Sequence, residues 1–382
     1  MRIAVIGGGI GGLTVSLALN KLNIENVVYE SAPVLRADGA GLALGSNAIS
    51  AFSVLGIADK VVQGSNRIKE FTIRNTDDKP LISRYSECIL SDEFFHSYAI
   101  HRSTLHSVLS GSLSDTKIVT GKAVIDFKKN LKGVTLFFSD GSSGMFDYVI
   151  AADGINSVFR RKLVPASHLR YAGYYCWRGV ADDFQPEDIS SAVEYWGTGL
   201  RFGIVPLPAK QVYWFACINN HNDDPSLMKI QKDDLLESYK NFPASVSSLI
   251  EAVPAGKILL NRISDVTPID NYAFRRIVLL GDAAHATTPN LGQGACLAIE
   301  DAATLYTLLK YNGDILESFE EFSRIRVPRA KYVVSQSRQT GALASMENPV
   351  GIMLRDLLFR MIPESVTEKQ TRKILGFSAE LN

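Results

Sequence analysis

The chain opens with "MRIAVIGGGIGGLTVSLALNKLNIENVVYE", residues 1–30, and this stretch sets the expectation for the fold. Arg2–Ile6 is a short apolar run of the kind a buried parallel strand shows. Gly7-Gly8-Gly9-Ile10-Gly11-Gly12 then places G-x-G-x-x-G on Gly7, Gly9 and Gly12. "LTVSLALNKL" follows as a helix and "NVVYE" as the next strand, ending in Glu30. The glycines have separate tasks: Gly7 allows the tight turn, Gly9 lets a pyrophosphate approach the backbone, and Gly12 lets helix and strand pack closely. The helix N-terminus offers unpaired N–H groups and a partial positive charge to the phosphates. Glu30, 18 residues past Gly12, stands where it can accept hydrogen bonds from an adenosine ribose. The pattern predicts a dinucleotide site, and these residues alone leave FAD and NAD(P) both open. No second glycine fingerprint occurs, so this device holds one dinucleotide.

The rest of the composition narrows the class. With 382 residues the chain can bury a large core and form two or three units. Forty basic and forty acidic residues cancel, so no overall field favours nucleic acid or an anionic membrane. The N-terminus has the outline of a signal peptide, but its glycine run makes a poor hydrophobic segment. No run reaches the roughly 18–20 apolar residues of a membrane span. Cys88, Cys176, Cys217 and Cys296 are scattered, which fits reduced thiols in a cytoplasm better than a disulfide framework. The six histidines are equally dispersed and no HExxH or Cys/His cluster appears, so no protein-bound metal is expected.

Two further segments carry chemistry. "FDYVIAADGINSVFRR", residues 146–161, reads as a strand over Tyr148–Ala152 followed by Asp153-Gly154, Ser157 and Arg160. With "KAVIDFKK" and "GVTLFFSDGSS" before it, that strand completes an expected small β-meander. "RIVLLGDAAHATTPNLGQGACLAIEDA", residues 276–302, runs from an apolar strand into Gly281-Asp282, then a loop of small residues, then a helix from about Gly294. An acid at the end of a buried strand beside a glycine-rich helix start is costly to hold without a ligand.

In this order, GxGxxG, DGxxSxxR and GDAAHxxxPxxGQG, the chain resembles the class A flavoprotein monooxygenases, the single-component aromatic-ring hydroxylases, over roughly residues 1–330. "HRSTLHSVL", residues 101–109, fits too, since the family carries an Arg near the FAD phosphates at such a helix start. The resemblance implies an α/β fold: a Rossmann-like FAD-binding domain (GR2-type) with an inserted β-sheet substrate domain and a C-terminal helix. The expected boundaries are 1–70, 99–165 and 266–330 for the FAD domain, 71–98 and 166–265 for the substrate domain, and 331–382 for a helical tail. For the cofactor it implies Gly7, Gly9, Gly11, Gly12, Glu30 and Ser31 at the first fingerprint. Arg36 and Leu42 belong to the segment passing beside the flavin, with Arg102, Val124 and Asp153 further on. Asp282 is expected on the ribityl hydroxyls, with Gly281, Gly292, Gly294 and Ala295 around it. The helix from Gly294 would aim its N-terminus at the flavin pyrimidine edge, where reduced flavin is an anion.

The implied activity is hydroxylation of a small aromatic or heteroaromatic substrate through a flavin C4a-hydroperoxide, with NAD(P)H binding transiently and O₂ as co-substrate. An epoxidase or drug-modifying hydroxylase would use the same oxidant, and a non-enzymatic flavin sensor or carrier is the rival class. The flavin halogenase W-x-W-x-I-P signature is absent around Trp177, Trp196 and Trp214. In the substrate half, Arg178, Arg201 and Tyr213 are candidate pocket residues, and Arg201 and Tyr213 share a sheet face if Pro206 pairs with Val212. Most other aromatics there are expected in a sheet core. Pro289 and Asn290 lie in the loop expected near the flavin. Motifs come nearest to the urate-hydroxylase and zeaxanthin-epoxidase-like branches, but the acid expected in that loop is Asn290 here, which speaks against urate and against a borrowed general base. His285 is expected to hydrogen-bond structurally, Glu300-Asp301 to contact helix or loop backbone, and Cys296 to pack. "MENPVGIMLRDLLFRMIP" reads as one amphipathic helix capping the domains. A monomer or homodimer without nucleic-acid partners completes the expectation.

Overall fold

The computed structural model describes residues 1–35, 40–86, 96–113, 116–184 and 191–377. Its first layer is a five-stranded parallel sheet, in the order Ile277–Leu279, Tyr148–Ala151, Ile3–Ile6, Asn26–Tyr29, Lys117–Val119. Ile3, Ala4 and Val5 are wholly buried, as a strand covered on both faces must be. The register sets Ile6 against Tyr29 and Ala151, and Ala151 against Leu279. Three sequence motifs therefore leave the sheet along one carboxyl edge, where open α/β sheets take their ligands.

Two helices cover that sheet close to the edge. Ile10–Lys21 follows the first fingerprint, and Gly294–Asn312 follows the loop after Asp282. A methyl group built on Gly11 would lie 3.1 Å from Leu280 and 3.2 Å from Ala298. The two helices can thus approach only because this position is bare.

The expected meander needs a correction. Val124–Lys129, Val134–Phe138 and Ser143–Phe146 form a three-stranded antiparallel sheet, while Tyr148–Ala151 leaves it for the parallel sheet. The strand Ser143–Phe146 was hidden because Gly, Ser and Met carry little β-pattern.

A seven-stranded sheet forms the other half, in the order Leu259–Val266, Leu169–Ala181, Gln211–Asn219, Leu200–Leu207, Ser191–Trp196, Glu70–Asn75, Pro80–Ser86. One face packs Tyr175, Trp177, Trp214, Phe202 and Tyr195 against helices Lys232–Ser238 and Ala244–Ala252. Those aromatics are core, as expected for most of them. The opposite face turns toward the loops of the parallel sheet.

The tail also differs from expectation. A 30-residue helix, Ile315–Ala344, runs straight through Pro328, and two more follow, Pro349–Met361 and Glu364–Leu375. No helix among the described residues is long and apolar enough to cross a membrane.

Candidate active site

The first fingerprint is built by close approach. A methyl group on Gly12 would sit 1.9 Å from the Gly7 carbonyl oxygen, and one on Gly7, whose φ is +110°, would sit 2.3 Å from the Ala152 oxygen. At Gly9 the same test meets nothing within 4 Å. Gly9 caps the helix Ile10–Lys21 with no side-chain hydrogen bond, so the helix N–H groups there await an acceptor. His106, one turn beyond Arg102 on the same helix, bonds through Nε2 to the Gly8 carbonyl oxygen at 2.8 Å. Sequence reading passed over His106, although its i, i+4 spacing from Arg102 was visible.

The Glu30 carboxylate accepts from the N–H of Gly8 at 2.6 Å and of Ala32 at 2.7 Å, and from the Ser31 hydroxyl at 3.1 Å. A carboxylate has about four acceptor positions, so one remains for an external hydroxyl. Arg36 lies outside the described residues. Val124 opens the strand Val124–Lys129 of the antiparallel sheet and is buried in the core.

Arg160 ties the turn that follows Asp153 to Asp282 through the backbone carbonyls of Ile155 and Asp282. Ser157 accepts from the Arg160 N–H at 3.0 Å as the helix cap, and the buried guanidinium reaches the carbonyls of Asp282 and Ala283 at 3.3 and 3.1 Å. The Val158 N–H donates to Asp153 Oδ2 at 2.8 Å, whereas Oδ1 is buried without a partner. Burial pushes the carboxyls of Asp153 and Asp282 upward; His285, the solvent-exposed Arg102 and Arg160 draw Asp282 part of the way back. Asp282 itself meets solvent while protein surrounds it, so it lines a recess.

Gly281, at φ +60° and ψ −141°, makes the turn into Asp282. Gly294 opens its helix with a bare face 4.0 Å, measured from a built methyl, from Asp282 Oδ1. Ala295 is partly buried against the helix core, and Gly292 has a left-handed φ of +64° beside Ala43. Leu42 lies in the strand Gly41–Leu44, paired with Ile100.

Beneath this turn lies a buried ionic network. The Gly281 N–H donates to Asp301 Oδ2 at 2.9 Å and His285 Nε2 meets the same oxygen at 2.6 Å. Arg326 reaches Asp301 at 2.6 Å and Glu300 at 2.7 Å, and Arg329 reaches Glu300 at 2.7 Å. His285 is therefore structural, as expected, and Asp301 does hold loop backbone. Glu300 departs from expectation: its partners are side chains, Arg326, Arg329 and Asn47. Burial favours neutral Asp301, but His285 and Arg326 outweigh it and hold the carboxyl at about 2. A depressed native value means stability present above the unfolded value and lost as pH falls. Acid titration should thus show loss of stability between pH about 4 and about 2, and Asp301→Asn should flatten that limb in a chemical-denaturation series. Cys296 packs as expected: burial pushes its thiol up to about 12.

The roof is the open face of the seven-stranded sheet. Pro206 pairs with Val212, which puts Arg201 and Tyr213 on one face, together with Arg178, Cys176 and Cys217. Tyr213 comes down onto the strand Gly41–Leu44: a methyl on Gly41 would lie 2.5 Å from its ring. Burial raises the Tyr213 phenol, and the positive charge of Arg178 offsets part of that rise. Arg178 also binds Asn261.

Asn290 joins loop to roof. Its Oδ1 accepts from the Tyr174 hydroxyl at 2.8 Å and from Arg201 at 2.9 Å; its Nδ2 donates to Thr288 Oγ1 and the Ser337 carbonyl, both at 2.9 Å. Arg201 is buried, stands over the Tyr174 ring and faces Glu194 at 3.5 Å, and its Nη2 is buried without a partner. Pro289 stays exposed at the start of its turn. Tyr174 and Glu194 were not foreseen, because cross-strand register alone brings them to this point.

An uncapped helix start with open space before it, a recessed carboxylate, and a second helix start capped by no side chain suit an elongated, phosphate-bearing dinucleotide. Among the described residues no cluster is able to hold a metal ion.

Comparison decides the cofactor. A family described as an FAD binding domain matches residues 1–337. The chain belongs to this family, that of the class A FAD-dependent monooxygenases. The flavoprotein is 33% identical to the aurachin C monooxygenase/isomerase of Stigmatella aurantiaca, over 99% of its own length and 98% of the relative's. It is 30% identical to the 2-heptyl-3-hydroxy-4(1H)-quinolone synthase of Pseudomonas aeruginosa, over 100% and 99% of the two chains. Klebsiella pneumoniae HpxO, solved with FAD and uric acid, superposes with a TM-score of 0.88 at 25% identity, covering 98% and 97%.

Proposed function

We propose that this flavoprotein uses NAD(P)H and O₂ to hydroxylate a heteroaromatic ring that carries a carbonyl, hydroxyl or ring N–H, of which a 4-quinolone is the type. Bound FAD, once reduced, supplies the activated oxygen. Asp282, with Gly281, Gly292, Gly294 and Ala295, would hold the flavin side of the cofactor, and Gly7–Gly12, Glu30, Ser31 and Arg102 the pyrophosphate and ribose side. Asp153, through its unpartnered Oδ1, would meet the cofactor or its bound water between them. Arg178 and Tyr213 would close the roof.

One observation carries the substrate reading. The Asn290 amide already has two donors on its oxygen and two acceptors on its nitrogen, and it is uncharged, so it takes no proton from substrate. Arg178 Nε on the same face is also buried without a partner, and beside Asn290 the polar group left over is Arg201 Nη2. A substrate oxygen gaining negative charge as the ring becomes electron-rich would satisfy that donor, in a site dry enough to strengthen the contact. A relative that matches the full length has a name that points the same way, since it names a 2-heptyl-3-hydroxy-4(1H)-quinolone.

The test is oxygenation of a panel of 4-quinolones, hydroxybenzoates and urate by the purified yellow protein with NADH or NADPH. The expected result is substrate-stimulated nicotinamide oxidation with one oxygen atom added to a quinolone-type ring. Arg201→Lys, which keeps the charge facing Glu194 but loses the planar fork, should lower kcat/KM by about 10- to 100-fold, the worth of a charge-assisted hydrogen bond. A flavin that no nicotinamide reduces, or one whose reduction oxygenates no ring in the panel, overturns the reading.

A further inference from the structure

The helix Pro349–Met361 is apolar on both sides. Its inner side carries Phe359, 5.7 Å from the Trp196 ring, and the buried Arg355, whose guanidinium stands 5.1 Å over the same indole. Its outer side leaves Val350, Met353, Leu354, Leu357, Leu358 and Met361 between 49% and 68% exposed. Those six follow the spacing i, i+3, i+4, i+7, i+8, i+11, so they form one continuous stripe along the whole helix. An isolated exposed leucine needs no explanation, but a full-length stripe does.

We propose that this stripe seats the enzyme on an anionic phospholipid surface, with the helix lying flat in the headgroup region. Three observations select a bilayer. At about 1.5 Å per residue the 13-residue helix is ~20 Å long, too short to span and suited to the interface plane. Charge is arranged to match: the stripe contains no acid, Arg360 flanks it, and Asp356 is neutralised by Arg355 at 2.8 Å. In a chain whose charges cancel overall, residues 349–375 hold five basic and three acidic groups, with Lys369 and Lys373 exposed on the next helix. Extent argues against a second copy as the occupant, since one stripe of six side chains falls well short of the roughly 20–30 residues per partner in a stable protein interface.

The seat lies beside the substrate half. Trp196 pairs with Arg201 across neighbouring strands, so the helix leans on the same sheet face that carries Arg201. The stripe would meet lipid whichever ring the pocket takes, and vesicle binding requires no turnover.

The experiment is flotation of the full-length, FAD-loaded protein with vesicles of phosphatidylcholine alone and of phosphatidylcholine with about one-third phosphatidylglycerol. The wild type is expected to float with the mixed vesicles, with a bound fraction roughly tenfold above that on the neutral ones, falling at high salt. Leu357→Ser combined with Leu358→Ser should abolish flotation while leaving FAD content and thermal melting unchanged, because both side chains already face solvent. Arg360→Glu should lower binding to the mixed vesicles only. Wild-type protein that stays unbound, or a double variant that still floats, overturns the proposal. So does a concentration-dependent dimer, absent in the double variant, in protein that ignores vesicles; that result makes the stripe an interface between copies.

Discussion

Arg326→Met protein should unfold in urea with about 3–5 kcal/mol less stability than the wild type, the cost of removing one partner from a buried ion cluster. The guanidinium lies between Asp301 and Glu300, with all three side chains essentially excluded from water. Deleting the cation leaves two carboxylates that must share His285, Arg329 and Asn47, or take up protons. Methionine fills similar volume, so the loss reports charge rather than a cavity. The damage should travel to the site. Asp301 holds the Gly281 N–H, and Gly281 sets the turn that carries Asp282. Flavin content after dialysis should therefore fall along with stability. Equilibrium unfolding followed by tryptophan fluorescence measures the first effect and the visible flavin band the second. A loss under about 1 kcal/mol would show that the cluster is dispensable, as some buried ion networks are.

How far the sequence reveals this molecule depends on how local each determinant is. Gly7, Gly9, Gly12 and Glu30 act within one strand–turn–helix unit, so their spacing carried the parallel sheet and the dinucleotide site before any coordinate was known. Gly281-Asp282 and the helix start at Gly294 were readable for the same reason. Arg201 and Tyr213 were readable only conditionally, because a shift of one residue in pairing would have sent them to opposite faces. Tyr174 and Glu194 lay beyond reach: nothing in "RYAGYYCWRGV" says which of two adjacent tyrosines turns to Asn290. The ionic cluster was hidden because it joins two helices: Ile315–Ala344, which continues through the helix-breaking Pro328, delivers Arg326 and Arg329 to Glu300 on the helix Gly294–Asn312. Tertiary packing overrides the breaker there. The outer helix was legible as an amphipathic segment, but which of its faces the protein would cover was not.

Gly12→Ala and Gly9→Ala should separate two requirements that one motif combines. At Gly12 an added methyl meets the Gly7 carbonyl oxygen at 1.9 Å, a contact with backbone that cannot rotate away. Relieving it must move the turn or the helix, so Gly12→Ala should lower stability by about 1–3 kcal/mol or more, as overpacking does, and strip the flavin. Gly9 differs in kind. Nothing stands within 4 Å of the added methyl, and the residue sits in extended backbone that alanine adopts freely. Gly9→Ala protein should melt within about 2 °C of the wild type when both are compared without flavin. Its affinity for FAD should nevertheless fall by about 10- to 100-fold, since the space it fills is the approach path proposed for the pyrophosphate and a lost charge-assisted contact costs about 1.5–3 kcal/mol. Titration of the flavin-free proteins with FAD, read by quenching of flavin fluorescence, measures both constants. If Gly9→Ala binds FAD as tightly as the wild type, the open space at Gly9 is not the pyrophosphate site, and the cofactor assignments along this sheet edge must be redrawn.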